Sequence, residues 1–195
     1  MEPHRETGRI EGFSDAVFAI AITLLALDLK VPPVGGAGLV AKLLDDWRAH
    51  MAFLAAFGTI AVMWVFHHRV FSLIRRSDGL LLLLNFLVLL GVVTIPFWTA
   101  VTVAYVRDPE QRVAAMIHSG TYVLISIFLS LLWRHAVDHR LLESEADPQT
   151  VRNTGRLFAI LPVLYLASFF LVASSNLTGG AILNGLIALF LILQK

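Results

Sequence analysis

Arg9-Ile10-Glu11-Gly12-Phe13-Ser14-Asp15, followed without a break by AVFAIAITLLALDLK through Lys30, is the stretch on which the reading of this chain turns. Its clean apolar run, residues 16–27, is short for the roughly 20 residues a spanning helix needs. It reaches membrane length only if Phe13, Ser14 and Asp15 also lie within the helix. At about 100° per residue, Ile20, Leu24 and Leu27 fall on one stripe, flanked by Ala16, Val17 and Thr23, while Asp15 projects to a nearly opposite side. A carboxylate at membrane depth costs about 2.5–3.5 kcal/mol on insertion scales, so Asp15 is expected to face protein and not lipid. Its candidate partners are Arg9, Ser14, and the histidines or Trp64 near the end of the second apolar segment. Asp15 therefore reads as a helix–helix lock, with direct ion binding as the sharper alternative. The apolar stripe has two readings: ordinary packing or lipid contact, or the lining of a pore with hydrophobic constrictions. Periodicity does not choose between them.

The rest of the chain is as apolar as this segment. Of its 195 residues, 57% are hydrophobic and 15% charged, against about 25% charged in an average soluble domain. Such a composition cannot cover a water-facing surface, which excludes a soluble globular enzyme. The formal net charge of +1 gives no footing for a nucleic-acid partner. With no cysteine there is no disulfide, thiolate metal site or cysteine nucleophile. Met1 to Gly8 is polar and unlike a secretory signal.

Six hydrophobic segments are expected to span a membrane: residues 8–29, 47–66, 80–106, 113–133, 157–174 and 177–193, forming a single six-helix domain over residues 1–195. Asp45 and Asp46 suit the positive N-terminal end of the second helix. Pro96 is a point at which the third can tilt or kink. The polar stretch 134–156 reads as a solvent-exposed connection that extends the fourth helix. Ten of the 15 Lys and Arg, Arg5 and Lys195 among them, fall on the side that holds both termini; five, including Lys30, fall on the other. By the positive-inside rule both termini are expected in the cytoplasm, consistent with an even number of spans.

The familiar chemical motifs are absent: no GxxxxGK[ST] phosphate loop, GxSxG elbow, HExxH helix or TVGYG-type carbonyl filter occurs. His67 and His68 are adjacent, so they diverge by about 100° on a helix and make a poor chelating pair. His135 and His139 are spaced i,i+4 with Asp138 between, the pattern of a solvated helix end. His118 lies alone inside the fourth segment, expected to bond a neighbouring helix, with a proton relay as the alternative.

The pattern Arg9-x-x-x-Phe13-Ser14-Asp15 with the apolar run after it resembles the transmembrane protein 175 family of potassium channels. The likeness continues through Trp64 with His67-His68, Asn85, and Ile95-Pro96-Phe97, and covers most of the first three segments; in the last three it is hydropathic only. The resemblance implies an all-α integral membrane protein whose bacterial, single-unit members assemble as homotetramers, with four copies of helix 1 around a central ion path in the cell membrane. It places constrictions at Ile20, Leu24 and Leu27, and a hydroxyl layer associated with selectivity at Thr23. It makes Arg9, Phe13, Ser14 and Asp15 a network tying helix 1 to helices 2 and 3 through Trp64, His67, His68 and Asn85. It implies leak-type conduction with a modest preference for K⁺ over Na⁺. It implies no cofactor, and no metal beyond the permeating ion; the partners are monovalent cations, the lipid bilayer and further copies of the chain.

Two other readings compete. A proton-coupled or small-solute transporter would use Asp15, His118 and the His67–His68 pair as relays, but the repeats and broken helices usual in transporters are not clear here. An integral-membrane enzyme would have to rely on His135, Asp138 and His139.

Overall fold

A computed structural model describes residues 7–29 and 38–193. Arg5, Lys30 and Lys195, which entered the charge count above, lie outside the described residues. The described chain is all helix apart from short connections and one isolated bridge: α1 (Gly8–Leu24), closed by a 3₁₀ turn (Leu25–Asp28), α2 (Leu39–Asp45), α3 (Trp47–Leu73), α4 (Gly79–Ala104), α5 (Gln111–Asp138), α6 (Pro148–Ala173) and α7 (Leu177–Leu193). Five of these are long and apolar enough to cross a membrane: the stretch from Gly8 to Leu27, and α3, α4, α5 and α6. α7 has 17 residues, about 26 Å at 1.5 Å per residue, against a hydrocarbon core of about 30 Å.

Helix boundaries differ from the apolar segments because capping and packing, not hydropathy, end a helix. The second segment, expected to stop near residue 66, continues to Leu73, since His67, Val70 and Phe71 are buried against neighbouring helices. His67 and His68 thus sit inside α3 and not at its end. The fourth continues to Asp138. The fifth starts at Pro148 instead of residue 157: Asp147 accepts the N–H groups of Gln149 and Thr150, and Pro148 occupies the first turn, where its missing donor is harmless. The short α2, too short to span a membrane, is largely apolar yet buries none of its residues. α4 remains helical through Pro96.

Phe18, Ala21 and Leu25 from the first helical segment, Ile60, Val70 and Phe71 from α3, and Leu81, Val88 and Val92 from α4 form the centre of the core. From there each helix packs on the next, α4 on α5, α5 on α6 and α6 on α7, and α7 returns to α3. α4 and α5 approach closely at Gly91, where an added Cβ would collide with the Ile125 side chain.

The stretch 134–156 is less open than its polarity suggested. Only residues 139–147 leave the helices, and they are pinned to the α3–α4 connection. Arg75 and Arg76 N–H donate to the Leu141 carbonyl at 2.9 and 3.1 Å, Glu143 N–H donates to Leu73 at 2.9 Å, and Arg75 pairs with Glu143 at 2.8 Å. Thr7 brings the start of α1 to the same corner by donating to the Ile74 carbonyl at 3.1 Å. Asp78 caps α4, accepting the Leu81 N–H at 2.8 Å, and also receives His135 Nε2–H at 2.8 Å.

The Leu81 N–H, with the His135 ring beside it, holds the Asp78 carboxyl below its ordinary value of 3.8. A depressed folded value means that the contribution is complete above pH 3.8 and is lost as pH falls through the lower, folded value. Asp78→Ala is expected to cost about 0.5–2 kcal/mol at pH 7, the range for a lost N-cap, and to flatten the fall in melting temperature between pH 5 and the acid limit. Thermal melts of the detergent-solubilised protein over that range check it; identical pH profiles for wild type and variant would count against the cap.

Candidate functional site

α1 has two unlike faces. Ser14, Phe18, Ala21 and Leu25 recur at steps of four and three residues, one stripe of the helix, and all four are buried. On the other side Phe13, Ile20, Leu24 and Leu27 are 52%, 56%, 41% and 78% exposed, and Thr23 is exposed with them. The second stripe is apolar, continuous and uncovered within one chain.

The buried face is fixed by polar contacts to α3 and α4. The Asn85 amide sits between two partners: its Nδ2 donates to Ser14 Oγ at 3.1 Å, and its Oδ1 accepts from His67 Nε2 at 2.8 Å. Because an amide oxygen only accepts, this bond places the His67 proton on Nε2. Ser14, His67 and Asn85 are at most 2% exposed, so no water competes for these bonds. The His67 ring lies between Phe18, at 5.3 Å, and Phe71, stacked at 4.4 Å. One turn away, Trp64 Nε1–H donates to Asp15 Oδ1 at 2.8 Å and the indole stacks on His68 at 5.9 Å. Phe13 meets Phe86 of α4 edge-on at 5.7 Å.

The structure thus brings together Phe13, Ser14, Asp15, Trp64, His67, His68 and Asn85. Of the partners considered for Asp15, Trp64 holds it. Arg9 is not brought in: it is exposed and has no ion pair or hydrogen bond among the described residues. Thr23 donates its hydroxyl hydrogen to the Ile20 carbonyl at 2.9 Å, which leaves its oxygen with lone pairs that can still accept.

The groups behind the competing readings are dispersed. His118 bonds the Tyr122 hydroxyl at 3.0 Å and Thr102 at 3.3 Å, and shares no partner with Asp15 or His67. His135 is committed to Asp78, His139 Nδ1–H donates to the His135 carbonyl, and Asp138 pairs with Arg134 at 3.8 Å. Among the described residues no cluster of three or more His, Asp or Glu is arranged to hold a metal ion. Sequence reading had assigned no role to Thr102, Tyr122 or Asp78. Tyr122, one turn from His118, was the signal within reach for that pair; nothing local pointed to Asp78 and His135, which are 57 residues apart.

These features define a multi-pass, all-α membrane protein organised around one anchored helix. The sequence model described as the endosomal/lysosomal potassium channel TMEM175 matches residues 9–96, the part that holds every contact of the anchored face. A potassium channel of Chamaesiphon minutus is 46% identical over 168 residues, covering 84% of this chain and 83% of that one. A potassium channel of Streptomyces collinus is 40% identical over 189 residues, 95% and 91% of the two chains. The crystal structure of a lysosomal potassium-selective channel TMEM175 homologue from Chamaesiphon minutus superposes with a TM-score of 0.86 at 41% identity, over 97% of each chain. The chain belongs to the TMEM175 family, a family of ion channels and not of enzymes.

Proposed function

We propose that this protein is a leak-type potassium channel with a modest preference for K⁺ over Na⁺. In this reading it is a homotetramer of a single six-helix unit spanning residues 1–195, with α7 as the sixth span and both termini cytoplasmic. It lies in a bacterial plasma membrane, and α1 lines the central pathway. The observation that carries the reading is the division of α1 into a face locked by Ser14 and Asp15 and an uncovered apolar stripe at Ile20, Leu24 and Leu27. A helix held this firmly on one side presents its other side in a fixed orientation, which side-chain constrictions require. The names of the bacterial relatives supply the ion.

The physics follows from the side chains. Stripping a cation of water in an apolar ring costs on the order of tens of kcal/mol by Born estimates, and Ile20, Leu24 and Leu27 offer nothing to replace that water. A narrow ring therefore blocks conduction by dewetting, and a wider one passes a largely hydrated ion. Potassium gives up water at lower cost than sodium, which favours it at such a ring. The hydroxyl oxygen of Thr23, whose proton is held by the Ile20 carbonyl, supplies partial replacement in this reading.

Bi-ionic recordings from reconstituted protein, with native mass measurement of the same sample, test the proposal. A tetramer with a reversal potential displaced toward the potassium equilibrium value is expected. Saturable, pH-coupled uptake in place of channel currents would return the transporter reading.

A further inference from the structure

The corner where the α3–α4 connection meets the α5–α6 connection holds a cavity of about 510 Å³. Arg75 and Arg76 line it from the first connection, and Arg140, Glu143 and Ser144 from the second, with Val137 of α5. Its frame is hydrogen-bonded backbone. The Arg75 and Arg76 N–H groups share the Leu141 carbonyl, and Ile74 and Leu142 form the isolated antiparallel bridge. The ends of α3 and α5, at Leu73 and Asp138, and the start of α4, at Gly79, meet at this corner. The cavity therefore lies where three long apolar helices reach the membrane interface.

Three arginines and one glutamate give the lining a positive balance. Glu143 takes Nη1 of Arg75 with both carboxylate oxygens, at 2.8 and 2.9 Å. The side chains of Arg76 and Arg140 are exposed, so a ligand can reach them, and they make no hydrogen bond or ion pair among the described residues. Arg140 stands there against its backbone preference. It closes α5 in a Schellman turn, its N–H donating to the Val137 carbonyl at 3.2 Å and the Leu141 N–H to that of Ala136 at 2.9 Å. Its φ is 55°, a left-handed conformation in which a Cβ is penalised and glycine is the usual choice. Strain of this kind points toward function. Here the strained residue is the one that brings the third arginine to the cavity.

We propose that this cavity binds a phosphate group, carried by an anionic lipid or as the free ion. A guanidinium stays charged at physiological pH and offers paired N–H donors that match two phosphate oxygens at once. Arginines on two separate connections, with the Ser144 hydroxyl, suit a tetrahedral anion whose oxygens point several ways; a planar carboxylate offers only two. A phospholipid carries its phosphate at the level where the helices leave the hydrocarbon, and basic pockets at that level hold lipid headgroups. Leu80 and Leu83 of α4 and Leu131 of α5 are exposed apolar side chains, within roughly 10 Å of those helix ends at 1.5 Å per residue, where acyl chains would lie. The site does not depend on α1 lining a pathway.

The test uses the full chain in neutral detergent, with phosphatidylglycerol, diacylglycerol of the same acyl chains, and inorganic phosphate as probes. Native mass spectra read retained lipid, and thermal melts read stabilisation by whatever binds the folded state. Phosphatidylglycerol is expected to be retained and to raise the melting temperature, and diacylglycerol to do neither. Stabilisation by inorganic phosphate alone, equal to that by the lipid, assigns the site to the free ion; stabilisation by the lipid only assigns it to a headgroup. Arg76→Gln/Arg140→Gln is expected to weaken binding roughly tenfold or more, the loss of charge-assisted hydrogen bonds. Arg140→Gly is expected to weaken binding while raising the melting temperature of the ligand-free protein, since glycine relieves the left-handed backbone; this separates lost binding from lost folding. Arg134, exposed on α5, pairs with Asp138 outside the cavity, and Arg134→Gln is expected to bind as wild type. Equal retention of phosphatidylglycerol and diacylglycerol with no effect of phosphate overturns the proposal. So does wild-type binding in both Arg140 variants, or a loss in Arg134→Gln as large as in the double variant, which would mean diffuse surface charge and not a site.

Discussion

Ile20→Asn is expected to raise potassium flux through reconstituted protein by at least about tenfold, equivalent to lowering the barrier by about 1.4 kcal/mol. The argument is local. Ile20 is more than half exposed on the uncovered stripe of α1, so an amide there displaces no packed neighbour and the fold should tolerate it. In the proposed tetramer, four amides replace four branched hydrocarbons at one level of the pathway. They hold water, and the dewetted segment that sets the barrier disappears. The same hydration reduces the dehydration penalty on which discrimination rests, so the K⁺/Na⁺ permeability ratio should fall toward unity. Leu24→Ala should act in the same direction more weakly, widening the ring without wetting it. Thr23→Ala should move the reversal potential and leave conductance nearly intact. Liposome flux and bi-ionic recordings read all three. If none changed conductance or selectivity, α1 would not line the pathway.

The second large effect concerns the locked face. Asn85→Leu should destabilise the protein by about 2–4 kcal/mol, because it leaves His67 Nε2–H and Ser14 Oγ buried without their partner, at about 1–3 kcal/mol for each unsatisfied group. The loss should appear as a lower melting temperature in detergent and, in native mass spectra, as a smaller fraction of the proposed tetramer. The double variant His67→Phe/Asn85→Leu separates packing from hydrogen bonding. It removes both polar partners of the His67–Asn85 bond and keeps a ring between Phe18 and Phe71, so it should recover part of the loss. A double-mutant cycle then gives the coupling within the network. A cost below about 1 kcal/mol for Asn85→Leu, with no coupling to His67, would mean that the network does not hold α1 in place.

Much of the helical content was legible along the chain. Residues 16–27 with Phe13 to Asp15 read as one helix, and α1 contains them up to Leu24 before tightening to a 3₁₀ turn. The expense of a carboxylate at membrane depth was enough to predict that Asp15 needs a protein partner, and Trp64 was among those named. The likeness of the Arg9–Asp15 pattern and of Asn85 to a known family pointed to the region that the family comparison matches. Helix ends were less legible. The extension of the fourth helix into the polar residues 134–138 was expected and α5 does run to Asp138, whereas the helical start at 148–156 was not: Asp147 and Pro148 begin α6 before its apolar run.

The sequence by itself determined that this is a helical membrane protein, which stretches form its long helices, and which residues of α1 share a face. It did not determine what each face meets. In water, hydrophobicity separates inside from outside; in a bilayer, lipid tails are as apolar as leucine, so a stripe such as Ile20, Leu24 and Leu27 carries the same signature whether it meets lipid, protein or a pathway. Only the tertiary structure decided that Ser14, 71 residues from Asn85, turns inward with Phe18 and Ala21, and that the Ile20 stripe is left bare. That choice rests on directional hydrogen bonds between helices, and the shape that places Asn85 between His67 and Ser14 is a property of the packed helices and not of any one segment.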